Sequence, residues 1–196
     1  MNTLMLSEAR EAAHAVAHQL AHNDKEYCDF GALLRTQNPS AVLTVARGSS
    51  DHAAHFLAYL VMARMGRLVT SLPMSLVTLY QSQIACKGLV SLAFSQSGQS
   101  PDLVAPTRYF TEGGAITAAF VNKEDSPLAQ AAQWVFPLHA GTEASVAATK
   151  SYIAQLVAGA RIVAAWQDDL VLQSALSGLP GVLSRAAHMD WSVGVD

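Results

Sequence analysis

The sequence predicts an α/β protein built on a doubly wound parallel sheet. Two observations carry that prediction. Its apolar runs are short and continuous, as strands buried on both faces require, and helical segments separate each run from the next. A third observation adds function. Serine- or threonine-bearing turns at residues 47–52, 95–100 and 140–150 all follow predicted strands. In a parallel sheet those turns share the carboxyl end, where ligands of such sheets bind.

Taken in order, the chain opens with a helix over residues 6–22, with Ala9, Ala13, Val16 and Leu20 as its apolar stripe. His14, His18 and His22 lie opposite, a spacing that suits metal ligands but lacks any accompanying cysteine or acid. They read as a face turned to solvent or a partner, and no metal is expected. A short helix over 30–36 stops before Asn38-Pro39, a turn signal. The first strand, 41–46, runs into Arg47-Gly48-Ser49-Ser50-Asp51-His52 and a helix over 51–65, ended by Gly66. The second strand is 68–72, followed by a short helix from Met74 to about Tyr80, and the third strand is 88–94. Ser100 as N-cap and Pro101 at the first helical position then start a helix reaching Glu112. The fourth strand is 115–121, with a short helix from Pro127 after it. The fifth, 134–138, belongs at an edge, because Pro137 has no amide to donate to a ladder. A long helix over 146–166 and two shorter ones near 169–177 and 179–189 complete the chain. The expected organisation is a helical arm (1–38), a central binding domain (39–166) and C-terminal helices (167–196).

Composition excludes several classes. At 196 residues the chain has room for one domain with an ample core, and its formal net charge of −3 comes with no basic stripe for nucleic acid. No apolar run approaches the roughly 18 residues of a membrane span, and the N-terminus lacks a signal-peptide layout. Two isolated cysteines, Cys28 and Cys86, read as reduced and buried, in keeping with a cytoplasmic location.

The most informative stretch is Ser95-Gln96-Ser97-Gly98-Gln99-Ser100-Pro101-Asp102, where a strand gives way to hydroxyls, an amide and a glycine at a helix start. Outward-pointing amides and the helix dipole suit a small anion there. It has no lysine and is no Walker loop. Ser49 and Ser50 repeat the arrangement after the first strand, where a cap alone would also explain them. Ser49-Ser50-Asp51-His52 holds the letters of a hydrolase triad, but neighbours at a helix start cannot line up as nucleophile, base and orienter. A nucleotide or flavin domain is disfavoured, since GxGxxG is missing. In the third turn, Glu143 suits a helix N-terminus by dipole, and Lys150 could answer an anion or be solvated.

These stretches resemble a known family. Ser95 to Asp102 is similar to the SQSGxT/S-x-D phosphate loop of the sugar isomerase (SIS) domain. Ala140-Gly141-Thr142-Glu143 with Val146-Ala147-Ala148-Thr149-Lys150 resembles the AGTE…VA[ST]TK segment of the first SIS domain of glucosamine-6-phosphate synthase. Arg47-Gly48-Ser49-Ser50 stands where that family has CGTS. The ARGSSDHA start and the VAATKSY helix look closest to stand-alone two-SIS-domain phosphosugar isomerases and glucosamine-6-phosphate deaminases.

The resemblance implies a flavodoxin-like αβα sandwich with five parallel strands, binding a hexose or hexosamine 6-phosphate without a cofactor. It implies that Ser95, Gln96, Ser97 and Ser100 hold the phosphate, that Ser49 and Ser50 contact phosphate or sugar hydroxyls, and that Val146 offers backbone contacts to the sugar. Arg47 in place of the cysteine adds charge that could assist an anion. The family's catalytic base lies on a K-x-x-E helix of a second SIS domain, which nothing after about residue 165 matches. The expectation is therefore the first half of a two-domain isomerase or deaminase, pairing with a second copy or a second SIS domain. No catalytic residue is identified; Glu143 is the only motif carboxylate near the pocket. The alternative is a sugar-phosphate-binding regulatory module without catalysis.

Overall fold

The structure, a computed structural model, describes residues 3–194. Its centre is a five-stranded sheet of β1 (Ala41–Val45), β2 (Val69–Ser71), β3 (Leu89–Ser95), β4 (Ile116–Val121) and β5 (Trp134–Pro137). Every pairing is parallel, in the order β2-β1-β3-β4-β5. The order of winding changes sense between β1 and β3, and ligands of such sheets bind in the crevice beyond the carboxyl ends of the strands at that point. β5 takes the edge that Pro137 foreshadows.

Helices cover both faces. One face carries α3 (Asp24–Gln37), α4 (Ser49–Met65) and α8 (Lys150–Gln167), packed on Val42, Val90, Leu92, Phe94, Phe120 and Phe136. The other carries α5 (Ser75–Thr78), α6 (Pro101–Glu112) and α7 (Pro127–Ala131), packed on Leu43, Val45, Ala93, Ala119 and Val121. Side chains of successive strand residues alternate between these two cores, which is why the strands read as unbroken apolar runs. A further layer, α2 (Ala12–Leu20) and α9 (Leu170–Ala187), closes over α8 through Val16, Val157, Ala160, Ala164 and Leu176. α8 is thus apolar nearly all round because it is covered nearly all round. No helix among the described residues is long and apolar enough to cross a membrane.

Five expectations need correction. The helix expected over 6–22 is two segments, α1 (Leu4–Arg10) and α2, because the Glu11 amide is shared between the Ser7 and Glu8 carbonyls in a tightened turn. Its buried face is Glu8, Ala12, Ala15, Val16 and Gln19, rotated from the expected stripe because α8 and α9 both pack against α2. α3 starts at Asp24, well before residue 30, and buries Tyr27, Phe30 and Leu34; this leaves Cys28 exposed, while Cys86 is buried. The two C-terminal helices are one, α9, which runs through Pro180. Leu172, Leu176, Leu179 and Leu183 pack along one side of it and hold both halves in line.

Candidate functional site

Three turns meet at the carboxyl end of the sheet. After β1, Gly48 takes φ +58° and ψ −135°, a conformation open to glycine, and the chain enters α4 directly at Ser49. The Ser49 and Ser50 amides open α4 at this end of the sheet, while the Asp51 amide donates to the Gly48 carbonyl at 3.1 Å. Ser49 is exposed, whereas Ser50 is buried and its Oγ accepts a 3.0 Å hydrogen bond from Gln155 Nε2 of α8.

After β3, the loop folds on itself. Ser95 Oγ accepts from the Gly98 amide at 3.1 Å, and Gly98, at φ +63°, lets its carbonyl accept from Leu128 at 3.1 Å. Ser95 is thus buried and shapes the loop, while Ser97 stands exposed. Ser100 occupies the N-cap of α6, but its hydroxyl makes no cap bond; its carbonyl accepts from Leu103 and Val104 instead. That hydroxyl makes no hydrogen bond among the described residues.

The third turn is the longest and is held by residues far away in sequence. Asn122, just past β4, accepts from the Ala140 amide at 2.9 Å and donates to the Gly141 carbonyl at 2.7 Å. Glu8 of α1, only 4% exposed, accepts from the Ala144 amide at 2.6 Å, the Ser145 amide at 3.1 Å and the Ser145 hydroxyl. These bonds, led by the Ala144 amide, hold its carboxyl below the usual carboxylate range. Glu143 folds forward onto α8, accepting from the Thr149 amide at 2.8 Å, the Thr149 hydroxyl at 3.1 Å, the Ser151 amide at 3.3 Å and the Ser151 hydroxyl. Burial alone would raise its pKa, but those four donors outweigh burial and lower it. With 143–149 drawn into this capped loop, α8 begins at Lys150 and not near 146. Val146 is left fully exposed at the tip.

Glu143 is consequently a structural cap, and a poor general base. Stability drawn from a lowered pKa is present above the unfolded value, 4.5, and fades as pH falls through the folded one. Acidification from the unfolded value down through the lower folded one is therefore expected to release the loop. Melting temperatures of wild type and Glu143→Gln, followed from pH 7 to pH 3, check this. The variant starts about 2 kcal/mol less stable and loses less on acidification. Parallel profiles would contradict the assignment.

Gln96 and Ser97 also border a cavity of about 880 Å³ beside the crevice. It is lined by Asn122, His139, Thr142, Glu143 and Lys150, and by Glu11, His14 and His18 from the N-terminal helices. Ser49, Ser50, Ser95, Ser100 and Val146 are not among its lining residues. His14 and His18 thus face a cavity wall and not only solvent. His18, His22 and His139 bring their rings within 4.3–5.4 Å of one another. Burial, then the neighbouring His22, depresses the pKa of His139. Lys150 is buried and paired with Glu11 at 2.6 Å, which excludes the solvated reading. Among the described residues, no group of three His, Cys, Asp or Glu side chains is placed to hold a metal ion.

Sequence reasoning missed Glu8, Glu11, Asn122 and His139. Hydrophobic patterning gives no signal for any of the four, since each is a polar residue placed by its partners.

The profile of the SIS domain family matches residues 36–165, two thirds of the chain and all five strands. The chain belongs to the SIS domain family. A crystallised protein from Silicibacter pomeroyi DSS-3, assigned as a phosphosugar isomerase, is 41% identical and superposes with a TM-score of 0.93. That match covers 96% of this SIS chain and 58% of the other. The glutamine–fructose-6-phosphate aminotransferase (isomerizing) of Bartonella henselae is 26% identical over 97% of this chain and 33% of its own length. A glucosamine-6-phosphate deaminase from Thermotoga maritima shares the fold at a TM-score of 0.73 and 16% identity. This SIS chain thus spans about a third of that aminotransferase and little over half of that isomerase.

Proposed function

We propose that this SIS domain binds a hexose or hexosamine 6-phosphate in the crevice between the turns after β1 and β3. The observation that carries the reading is the pairing of two hydroxyl-bearing turns, Ser49-Ser50 and Ser95 to Ser100, each opening a helix N-terminus at one sheet reversal. Ser97, Ser100, Ser49 and the Gln96 amide hold the phosphate, Ser50 reaches phosphate or sugar hydroxyls, and Ser95 shapes the loop. The Val146 backbone, exposed at the tip of the third turn, meets the sugar. The relatives' names, an isomerizing fructose-6-phosphate aminotransferase and a phosphosugar isomerase, both specify a phosphorylated sugar.

The reaction this serves is aldose–ketose isomerisation, or deamination of an amino sugar. Both turn on proton transfer between C1 and C2 of the ring-opened sugar. Phosphate anchoring supplies remote binding energy that places those carbons. The bonds to Thr149 and Ser151 occupy Glu143, so the proton-transferring group comes from outside the three turns. That occupation favours, as a second reading, a chain that binds sugar phosphate without turning it over alone.

Calorimetric titration with glucosamine 6-phosphate and fructose 6-phosphate tests the assignment. Ser97→Ala is expected to bind about tenfold more weakly or worse, as befits a lost hydrogen bond to a charged group. Equal affinities in the two proteins would remove the phosphate from this loop. Turnover of either sugar by the isolated chain would overturn the second reading.

A further inference from the structure

Arg47 stands where the family's motif has cysteine, and the structure gives it a partner across the crevice. Its Nη1 donates to Asp102 Oδ2, so the pair links the end of β1 to the first turn of α6. It therefore spans the two turns assigned to the phosphate. Both side chains are substantially exposed, 59% for Arg47 and 42% for Asp102. An ion pair so exposed is held weakly and is cheap to open. Asp102 also lies at the positive end of the α6 dipole, the end an external dianion would use. An internal carboxylate and an incoming phosphate thus compete for one guanidinium and one helix terminus.

Behind the same turn, Ser50 keeps a hydroxyl proton that it can offer to an anion. Gln155 is 1% exposed, donates to Ser50 Oγ, and leaves its own Oε1 without a partner among the described residues. Because Ser50 accepts that bond, its hydroxyl proton stays free for an acceptor other than Gln155.

Resting on the phosphate reading above, we propose that Arg47 is an exchangeable phosphate ligand and Asp102 its resting counterion. On binding, the guanidinium passes from the Asp102 carboxylate to the phosphate oxygens, which its planar fork contacts in pairs. Nothing covalent changes. The pair sets affinity for a dianion and leaves affinity for an unphosphorylated sugar untouched. Arg47 is then a specificity residue, and Asp102 weakens binding even though it lies beside the site.

The test is titration of the whole chain with inorganic phosphate, glucosamine 6-phosphate and glucosamine. Arg47→Ala is expected to weaken both phosphate ligands about tenfold, with Arg47→Lys in between. Asp102→Asn is expected to tighten them about threefold, opposite to what a merely structural role would give. Glucosamine should distinguish none of the proteins. Thermal melts establish that each variant is folded. If wild type binds phosphate ligands but Asp102→Asn binds them no tighter, or Arg47→Ala binds them equally, the exchange is wrong and the phosphate site stands. If wild type binds neither phosphate ligand, both readings fall.

Discussion

Arg161→Ala is expected to lower the melting temperature by roughly 6–12 °C, corresponding to about 3 kcal/mol in a chain of this size. Arg161 lies on α8, only 6% exposed, yet its side-chain hydrogen bonds all go to residues 19–24 at the N-terminal end of the chain. Nη1 donates to the Gln19 carbonyl at 2.7 Å, and Nη2 to the His22 carbonyl at 2.9 Å and to Asp24 Oδ1 at 2.5 Å. The guanidinium also lies 3.9 Å from the centroid of the Tyr27 ring. One side chain thereby satisfies carbonyls at the end of α2, pairs the start of α3 and ties both to α8. Truncation strips the carbonyls of charge-assisted bonds and exposes the Tyr27 face, and this is where the loss arises. The ion pair itself contributes little, because Asp24 is 80% exposed and is readily hydrated when alone. Asp24→Asn should therefore cost under about 1 kcal/mol. Thermal and urea melts of both variants decide the matter: a loss from Arg161→Ala no larger than that from Asp24→Asn would reject this account.

The same contrast between local and distant partners explains what could be read from the sequence. All five strands were legible, because burial on both faces writes an apolar run that needs no knowledge of neighbours. The turns at Ser49-Ser50 and Ser95 to Ser100 were legible for a similar reason: hydroxyls, glycine and a helix start are consecutive. The path of residues 140–149 was not. Glu143 could be placed near a helix N-terminus by its dipole preference, but its turning onto Thr149 and Ser151 depends on a loop that Glu8 and Asn122 hold from 136 and 18 residues away. The late start of α8 follows from the same contacts. The continuity of α9 was hidden in another way. Pro180 is a local breaker, and only packing against α2 and α8 overrides it. The buried face of α1 and α2 was misplaced because its polar members, Glu8 and Gln19, are buried by partners, and hydrophobicity gives them no weight.

Gly98→Ala is expected to cost about 3 kcal/mol or more, and to remove sugar-phosphate binding beyond tenfold. Two effects act together. The residue sits at φ +63°, where a Cβ costs roughly 1–2 kcal/mol in an L-residue. That Cβ would also fall 2.2 Å from Ser126 Oγ and 2.5 Å from Ser126 Cβ, so something must move. Ser126 cannot yield freely: it is fully buried and its Oγ caps α7 by accepting from the Ala129 amide at 3.3 Å. If the loop moves instead, the Gly98 amide leaves Ser95 Oγ and the Gly98 carbonyl leaves Leu128, which unmakes the turn presenting Ser97 and Ser100. Gly141→Ala separates the two effects, because Gly141 has φ +69° but no atom within 4 Å of the new Cβ. It should show the conformational cost alone, about 1–2 kcal/mol. Denaturant unfolding and phosphate-ligand titration of both variants read the difference. A Gly98→Ala protein as stable as Gly141→Ala, still binding sugar phosphate, would mean that the Ser126 contact does not fix the shape of the loop from Ser95 to Ser100.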